Sequence, residues 1–451
     1  MCIRDRNTTG MGNVAIECGA LRCNVSGTFN IAIGNNAGRD NISGCCSVYI
    51  GESAGLGNTT GTGNIALGVQ PMLCSTCASS NIAIGCQAAK CSRANLNIAI
   101  GRLALASNNE GGVSQLNLAI GDCALLGGTG GSGSCGNIAF GVAAGLSHTS
   151  GLGNIFIGCC AGKSSSCTSH NVNIGSFAGC ANTTGKCNVL IGRLAGQNGT
   201  ASLNTIVGDA AGQDTNGGCN AIFGSCAGCD LGSGEYNVVL GAEAGKKLHS
   251  SSCNIAIGQF TAAFNNVTGV HNIMMGSRAG SRLLSGGSNI FLGASAGRYV
   301  TSGARNFIVG THASYCLTTG SDNVSLGYNA GRCNSAALDN IAIGRCAGYL
   351  NTSNNSNVSI GHSAGYYTGN TSLGDNVSIG SSSGGGYFSI AIGRQALSNC
   401  TNTGGYNVAL GFKAGCEMST GSHNVLLGNC SGYCLAGYNN CLLYTSTLPT
   451  T

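Results

Sequence analysis

The sequence has no tryptophan, only two prolines, and charged side chains at just 8% of its 451 positions. An ordinary soluble domain carries about 25% charge. Glycine is abundant at 78 residues, but without a period of three and without proline it cannot build a collagen helix. The scarcity of charge, set against many Ile and Val, argues against a disordered chain and against a long coiled coil. No apolar run approaches the roughly 18 residues of a membrane span, so no membrane insertion is expected. The net charge of +5 is small and dispersed, and leaves no nucleic-acid or membrane footprint.

What is present is a repeat. The motif Asn-φ-x-φ-Gly, with φ apolar, recurs from Asn13-Val14-Ala15-Ile16 to Asn424-Val425-Leu426-Leu427-Gly428, in 25 copies. Most intervals are 17 residues. With the Asn position as phase 0, Gly occupies phase 4 in 24 copies and Ala occupies phase 7 in 21. Phase 8 is most often Gly. A Thr-Gly or Ser-Gly pair precedes many of the next asparagines, as at Thr184-Gly185 and Thr420-Gly421. A four-residue run with alternating apolar side chains is a short strand. Gly at phase 4 permits a positive φ and a tight turn. Such a unit cannot bury a core alone, but stacked copies can. The expected fold is therefore all-β, a parallel β-solenoid of about 25 coils, with residues 13–440 as one repeat domain. At a strand spacing of about 4.8 Å, 25 coils would extend on the order of 120 Å. Recurrent Gly at phases 4, 8 and 14 excludes a helical reading.

Each phase has a physical role. In a parallel in-register stack, identical amides lie one strand spacing apart and can bond along the axis. Asn30, Asn64, Asn81, Asn154, Asn254, Asn340 and Asn424 are expected to form this ladder. Gly34, Gly68, Gly85, Gly158, Gly258, Gly344 and Gly428 are the expected turn glycines. Phase 2 points away from phases 1 and 3. It is never charged; it is Ala in 11 copies, and elsewhere mostly large and apolar. A strand that is apolar on both faces suggests one face covered by its own coil and one by a partner. Phe156, Leu190, Ile222, Met274, Phe291 and Ile308 are accordingly expected to line an oligomer face. The alternative is a flat coil with little interior, in which phase 2 Ala is merely tolerated.

The unit N-φ-A-φ-G-x-x-A resembles the head repeats of trimeric autotransporter adhesins (YadA-like), and similar repeats occur in phage and viral tail fibres. The resemblance spans about residues 13–440. It implies a left-handed β-roll, a homotrimer packed along its axis, and attachment to a cell-surface glycan or protein receptor from an extracellular fibre or virion surface. The coil here is longer than the roughly 14-residue head repeat, and 28 cysteines depart from the cysteine-poor habit of exported adhesins. That departure favours a fibre assembled in the cytoplasm. The alternative from the residues is a monomeric solenoid binding ice or polysaccharide, which would need a regular polar ladder on an exposed strand; Thr-Thr pairs recur in too few coils.

Neither catalysis nor a cofactor is expected. The acids and histidines keep no common phase, and no His-Glu-x-x-His or calcium nonapeptide occurs. Gly162-Lys163-Ser164 lacks a P-loop, since Ile157 stands where its first Gly is required. His170, His271 and His423 precede phase 0 and are expected to be exposed. Cys74/Cys91 and Cys316/Cys333 fall on adjacent coils, at a spacing near the limit for a disulfide. Most cysteines read as small apolar fillers with free thiols. The C-x-x-C pairs Cys74/Cys77 and Cys226/Cys229 lack a companion pair, so no metal is expected. Asn58, Asn182 and Asn198 head Asn-x-Ser/Thr triplets of the kind chance provides in such a composition. Residues 1–12 and 441–451 break the pattern, read as non-native or irregular ends resembling translated adaptor sequence, and make the chain an expected internal fragment.

Overall fold

A computed structural model describes residues 6–107, 115–127, 134–350, 355–366, 374–384, 388–399 and 404–443. They contain 26 strands of three residues each and no helix. The chain divides into two compact units, Met1–Cys229 and Asp230–Thr451. The first holds β1 (Val14–Ile16) to β13 (Ala221–Phe223), the second β14 (Val238–Leu240) to β26 (Cys441–Leu443). Within each unit every strand pairs in parallel, in register, with the next in sequence. Val14 lies beside Ile31 in the first unit, and Val238 beside Ile255 in the second. The fold is thus a parallel β-solenoid with a repeat of about 17 residues.

The backbone explains the glycine pattern. Phase-4 glycines from Gly34 to Gly428 have φ between 115° and 142°, a region closed to a residue with a Cβ. Space is closed as well: a Cβ on Gly158 would lie 2.7 Å from the carbonyl group of Gly175 on the next coil. Phase 8 differs, with φ near 50–60°. Left-handed α geometry strains other residues without excluding them, and Leu21, Met72, Leu105, Leu125 and Leu397 stand there with φ of 48–51°.

The asparagine side chains bond in two directions. Their Oδ1 atoms accept from the phase-0 N–H of the following coil, as Asn13 does from Asn30 at 2.9 Å and Asn323 from Asn340 at 3.1 Å. Their Nδ2 atoms reach across their own coil, as from Asn30 to the Gly44 carbonyl at 2.8 Å and from Asn424 to the Gly437 carbonyl at 3.0 Å. Asn30, Asn64, Asn81, Asn154, Asn254, Asn340 and Asn424 are all buried. Where Ser47 replaces Asn, its hydroxyl still accepts from the Asn64 N–H, at 3.1 Å. A second interior ladder runs at phase 11 in the first unit, where Asn41 donates to Asn24 at 2.9 Å and Asn58 and Asn182 are buried. The same position in the second unit carries Leu248, Leu283, Val300 and Leu317, also buried.

The strand faces are the reverse of the expected assignment. Phe156, Ile222, Met274, Phe291 and Ile308 are fully buried and Leu190 is 3% exposed, all within their own chain. Phase 2 points into the coil with the phase-0 asparagines, and phases 1 and 3 point out. The interior is narrow, and one wall fills it at a time. Wherever phase 8 is Leu or Met, phase 2 of that coil is Ala: Ala15/Leu21, Ala66/Met72, Ala99/Leu105, Ala119/Leu125 and Ala391/Leu397. Wherever phase 2 is aromatic, phase 8 is Gly: Tyr49/Gly55, Phe156/Gly162 and Phe291/Gly297. An Ala/Gly coil lets both types meet. A Cβ on Gly145 would lie 2.7 Å from Leu125 of the preceding coil and 2.8 Å from Phe156 of the following one. Gly415 sits in the same way between Leu397 and Leu426.

The ladders also run past the expected ends of the repeat domain. Asn7 holds the Gly10 N–H as Asn58 holds that of Gly61, and Cys441–Leu443 pairs in register with Val425–Leu427. Regular structure therefore includes residues 7–12 and 441–443.

Two measurements test this interior. Gly162→Leu, whose Cβ would lie 2.3 Å from the Phe156 ring, should destabilise by about 1–3 kcal/mol through overpacking. Adding Phe156→Ala recreates the Ala/Leu pairing and should recover part of that loss, read as a positive coupling in thermal unfolding. His148 stands at phase 11, buried, with Nδ1 2.8 Å from the Ser165 carbonyl oxygen. Burial holds its pKa below the ordinary 6.5. The unfolded chain then takes up the proton first, so stability should fall as pH drops below about 6.5, while the neutral imidazole contributes fully above it. His148→Asn, the residue found at this phase in other coils, should flatten that slope in melting curves between pH 7 and pH 4.

Candidate functional site

In each unit the outward strand face is a regular feature of the surface. Phases 1 and 3 of all 26 strands are apolar except Thr205. Alternation places both columns on the same side of the sheet. In the first unit Ile31, Ile50 and Phe140 are 38%, 39% and 54% exposed. In the second, Leu240, Met275 and Phe307 are 46%, 41% and 39% exposed. The rest are mostly half-buried by neighbours on adjacent coils. Phase −1 continues the outer face beyond the asparagine, and there the side chains vary. Phe29, Leu96, Leu116, Leu203 and Tyr236 are exposed, as are His170, His271 and His423. Phe388, Tyr406 and His423 form a stack with centroids 5.0 Å and 4.9 Å apart.

Apolar side chains spread over consecutive coils in this way exceed the scattered exposure normal for a monomer. The face can desolvate against another apolar surface. At phases 1 and 3 of the described strands the polar or ionisable side chains are Thr205 and Cys441.

The cysteines sit elsewhere around the coil. All 26 in the described residues are free thiols; Cys2 and Cys400 lie outside the described residues. The expectation that most act as apolar fillers is corrected: among the described residues only Cys416 is buried, and the others are exposed or half-buried at outward positions of the coil. Neither Cys74/Cys91 nor Cys316/Cys333 is bridged. Burial and the neighbouring Cys74 thiol push Cys91 up to about 11, and burial, then Cys316, raises Cys333. Among the described residues no group of three or more His, Cys, Asp or Glu is placed to hold a metal ion.

A feature not anticipated from the sequence lies on the second unit. Arg298, Tyr315, Arg332, Tyr349 and Tyr366 share phase 9 on five consecutive coils. Arg298 donates to the Tyr315 hydroxyl at 2.9 Å, and Arg332 to that of Tyr349 at 2.6 Å. Tyr315 lies between the two guanidinium groups, 5.6 Å and 5.5 Å from its centroid. At phase 10, Arg282 covers Tyr299 at 4.6 Å. Aligning the repeats by phase and reading each column downward would have exposed this set; a scan for contiguous motifs passes over it, because its members are 17 residues apart.

Neither the protein-family models, the curated proteins nor the solved structures give a match to this sequence.

The thiols offer a direct check on the outward positions. Cys77 and Cys167 are exposed, and hydrogen bonds first from Thr60 and from Ser150, respectively, lower their pKa values. Because the thiolate is the nucleophile, iodoacetamide at pH 8 should modify Cys77 and Cys167 well before Cys91, by about tenfold or more in peptide-mapped rate.

Proposed function

We propose that this chain is a structural segment of an attachment fibre or adhesin, in which copies of the solenoid associate through the outward strand face and leave the turns free to meet a cell surface. One observation carries the reading: phases 1 and 3 are apolar and solvent-facing coil after coil in both units. At about 25 cal/mol per Å² of apolar surface removed from water, a face of this regularity strongly favours association over exposure. Parallel stacking keeps each column straight within a unit, so the matching surface on a second copy has the same spacing. A trimer is the assembly implied by the resemblance to YadA-like heads and tail fibres. An extracellular fibre or virion surface is the corresponding location. Weak contacts from many repeated turns would add through multivalency. A monomeric solenoid would have to leave the same apolar columns in water, and they carry none of the regular Thr that an ice or polysaccharide ladder needs.

The deciding measurement is the solution mass of the full chain by light scattering, with and without reductant. The expected result is a trimer whose mass does not change with reductant. Met275→Lys with Leu240→Lys, both outward, should shift the mass toward the monomer and leave circular dichroism unchanged. Met274→Lys, one residue away but inside the coil, should instead unfold neighbouring coils. A folded monomer of the parent chain would overturn the reading.

A further inference from the structure

We infer that the Arg/Tyr column of the second unit is a binding site for a linear acidic polysaccharide, sulfated or uronic. The inference names a ligand for the attachment role proposed above.

The guanidinium groups are the first ground. Three outward arginines pair with an acid on the next coil, Arg102 with Asp122, Arg193 with Asp209 and Arg305 with Asp322, at 2.6–2.8 Å, whereas others, such as Arg278 and Arg345, lie over an aromatic ring instead. Arg282, Arg298 and Arg332 have no such acid in the described residues; their neighbours are tyrosines. A guanidinium carries five N–H donors in a fixed plane. Arg298 and Arg332 each give one Nη to a tyrosine hydroxyl, and the planes are held by the rings they cover. The Arg298 Nε is buried, and the Nη hydrogens not given to tyrosine are left for a carboxylate or sulfate, which guanidinium recognises in bidentate fashion.

Geometry is the second ground. Arg282 and Arg298 open into one hollow together with Phe264, Asn265 and Thr301. Arg332 lies two coils beyond Arg298, about 10 Å at the strand spacing. The cations therefore recur along a line, as anionic groups do along a polysaccharide chain, with ring edges and hydroxyls between them for the sugar faces and hydroxyl groups.

The same residue types can bind single-stranded nucleic acid, by stacking bases on aromatic rings. Here the ring faces are already occupied. Tyr299 and Tyr315 are 5.0 Å apart and tilted by 67°, and Tyr349 and Tyr366 are stacked at 4.8 Å. Guanidinium groups cover Tyr299 and Tyr315. Between these rings a base has no gap to enter, whereas an anion needs only the guanidinium edges.

The test uses the full chain and three immobilised probes: heparin, polygalacturonate and single-stranded oligouridylate. Arg282→Gln with Arg298→Gln and Arg332→Gln should weaken heparin or polygalacturonate binding at least about tenfold, and make its salt dependence shallower as counterion-releasing contacts are lost. Lys90→Gln with Lys163→Gln and Lys186→Gln, the same change in charge on the first unit, should alter binding less than about twofold. Retention of one polysaccharide but not the other identifies sulfate or carboxylate as the group read. Equal losses in both variants, no loss in the arginine variant, no binding to either polysaccharide, or tighter arginine-dependent binding to oligouridylate would each overturn the inference. If the triple variant melts lower than the parent, Arg282→Gln alone, which removes no hydrogen bond of the column, should still weaken binding by about threefold. Light scattering on the same samples separates the two proposals. A monomer that binds through these arginines removes the fibre reading and keeps the site; an oligomer whose binding ignores them does the opposite.

Discussion

One asparagine per coil ties the solenoid together. Its side-chain oxygen accepts from the N–H of the next asparagine, and its amide nitrogen donates to a carbonyl on the far side of its own coil. A buried amide satisfied in both directions is stable only if successive coils keep the same register. Register then forces the phase-4 residues of neighbouring coils into contact, carbonyl against α-carbon, and only glycine fits with φ near 130°. The two most regular columns of the sequence are thus one constraint seen from two sides. The exception at Ser47 supports this, since the hydroxyl retains the axial bond while giving up the reach across the coil.

With register fixed, the interior has little room, and it tolerates variation only as exchange. Volume moves between the strand wall at phase 2 and the turn wall at phase 8, from Ala/Leu to Phe/Gly, and an Ala/Gly coil allows a leucine on one side to meet a ring on the other. The second interior column shows the same freedom, with Asn41, His148 and Asn182 in the first unit and Leu248, Leu283, Val300 and Asn334 in the second, all buried. The outside is constrained differently. Phases 1 and 3 stay apolar although they are exposed or only half-buried, while phases 5, 6, 9 and 10 vary without a common chemistry until they align into the Arg/Tyr column. The regular part of the surface suits self-association, and the irregular part suits recognition.

The repeat length, the parallel stacking, the asparagine ladder and the turn glycines were all legible in the sequence, because each leaves one residue type at one phase. The direction of the strand faces was not. Alternation says that phase 2 opposes phases 1 and 3, but carries no sign for inside and outside when both sets are apolar. The signal that resolves it lies in pairs rather than columns: Ala15 with Leu21, Tyr49 with Gly55, Phe156 with Gly162. Residues that trade volume must share a cavity, so phase 2 faces phase 8. The Arg/Tyr column escaped for a related reason, since its members are neighbours only across coils.

By itself the sequence determined the β-solenoid, its 17-residue coil and the residues that hold each coil to the next, because backbone geometry and amide pairing demand particular side chains at particular phases. Only the tertiary structure decided which apolar face is core and which meets solvent, and which cations lack an acid partner. Those properties depend on the distance across a coil and between coils, and a column of residue types does not contain that distance.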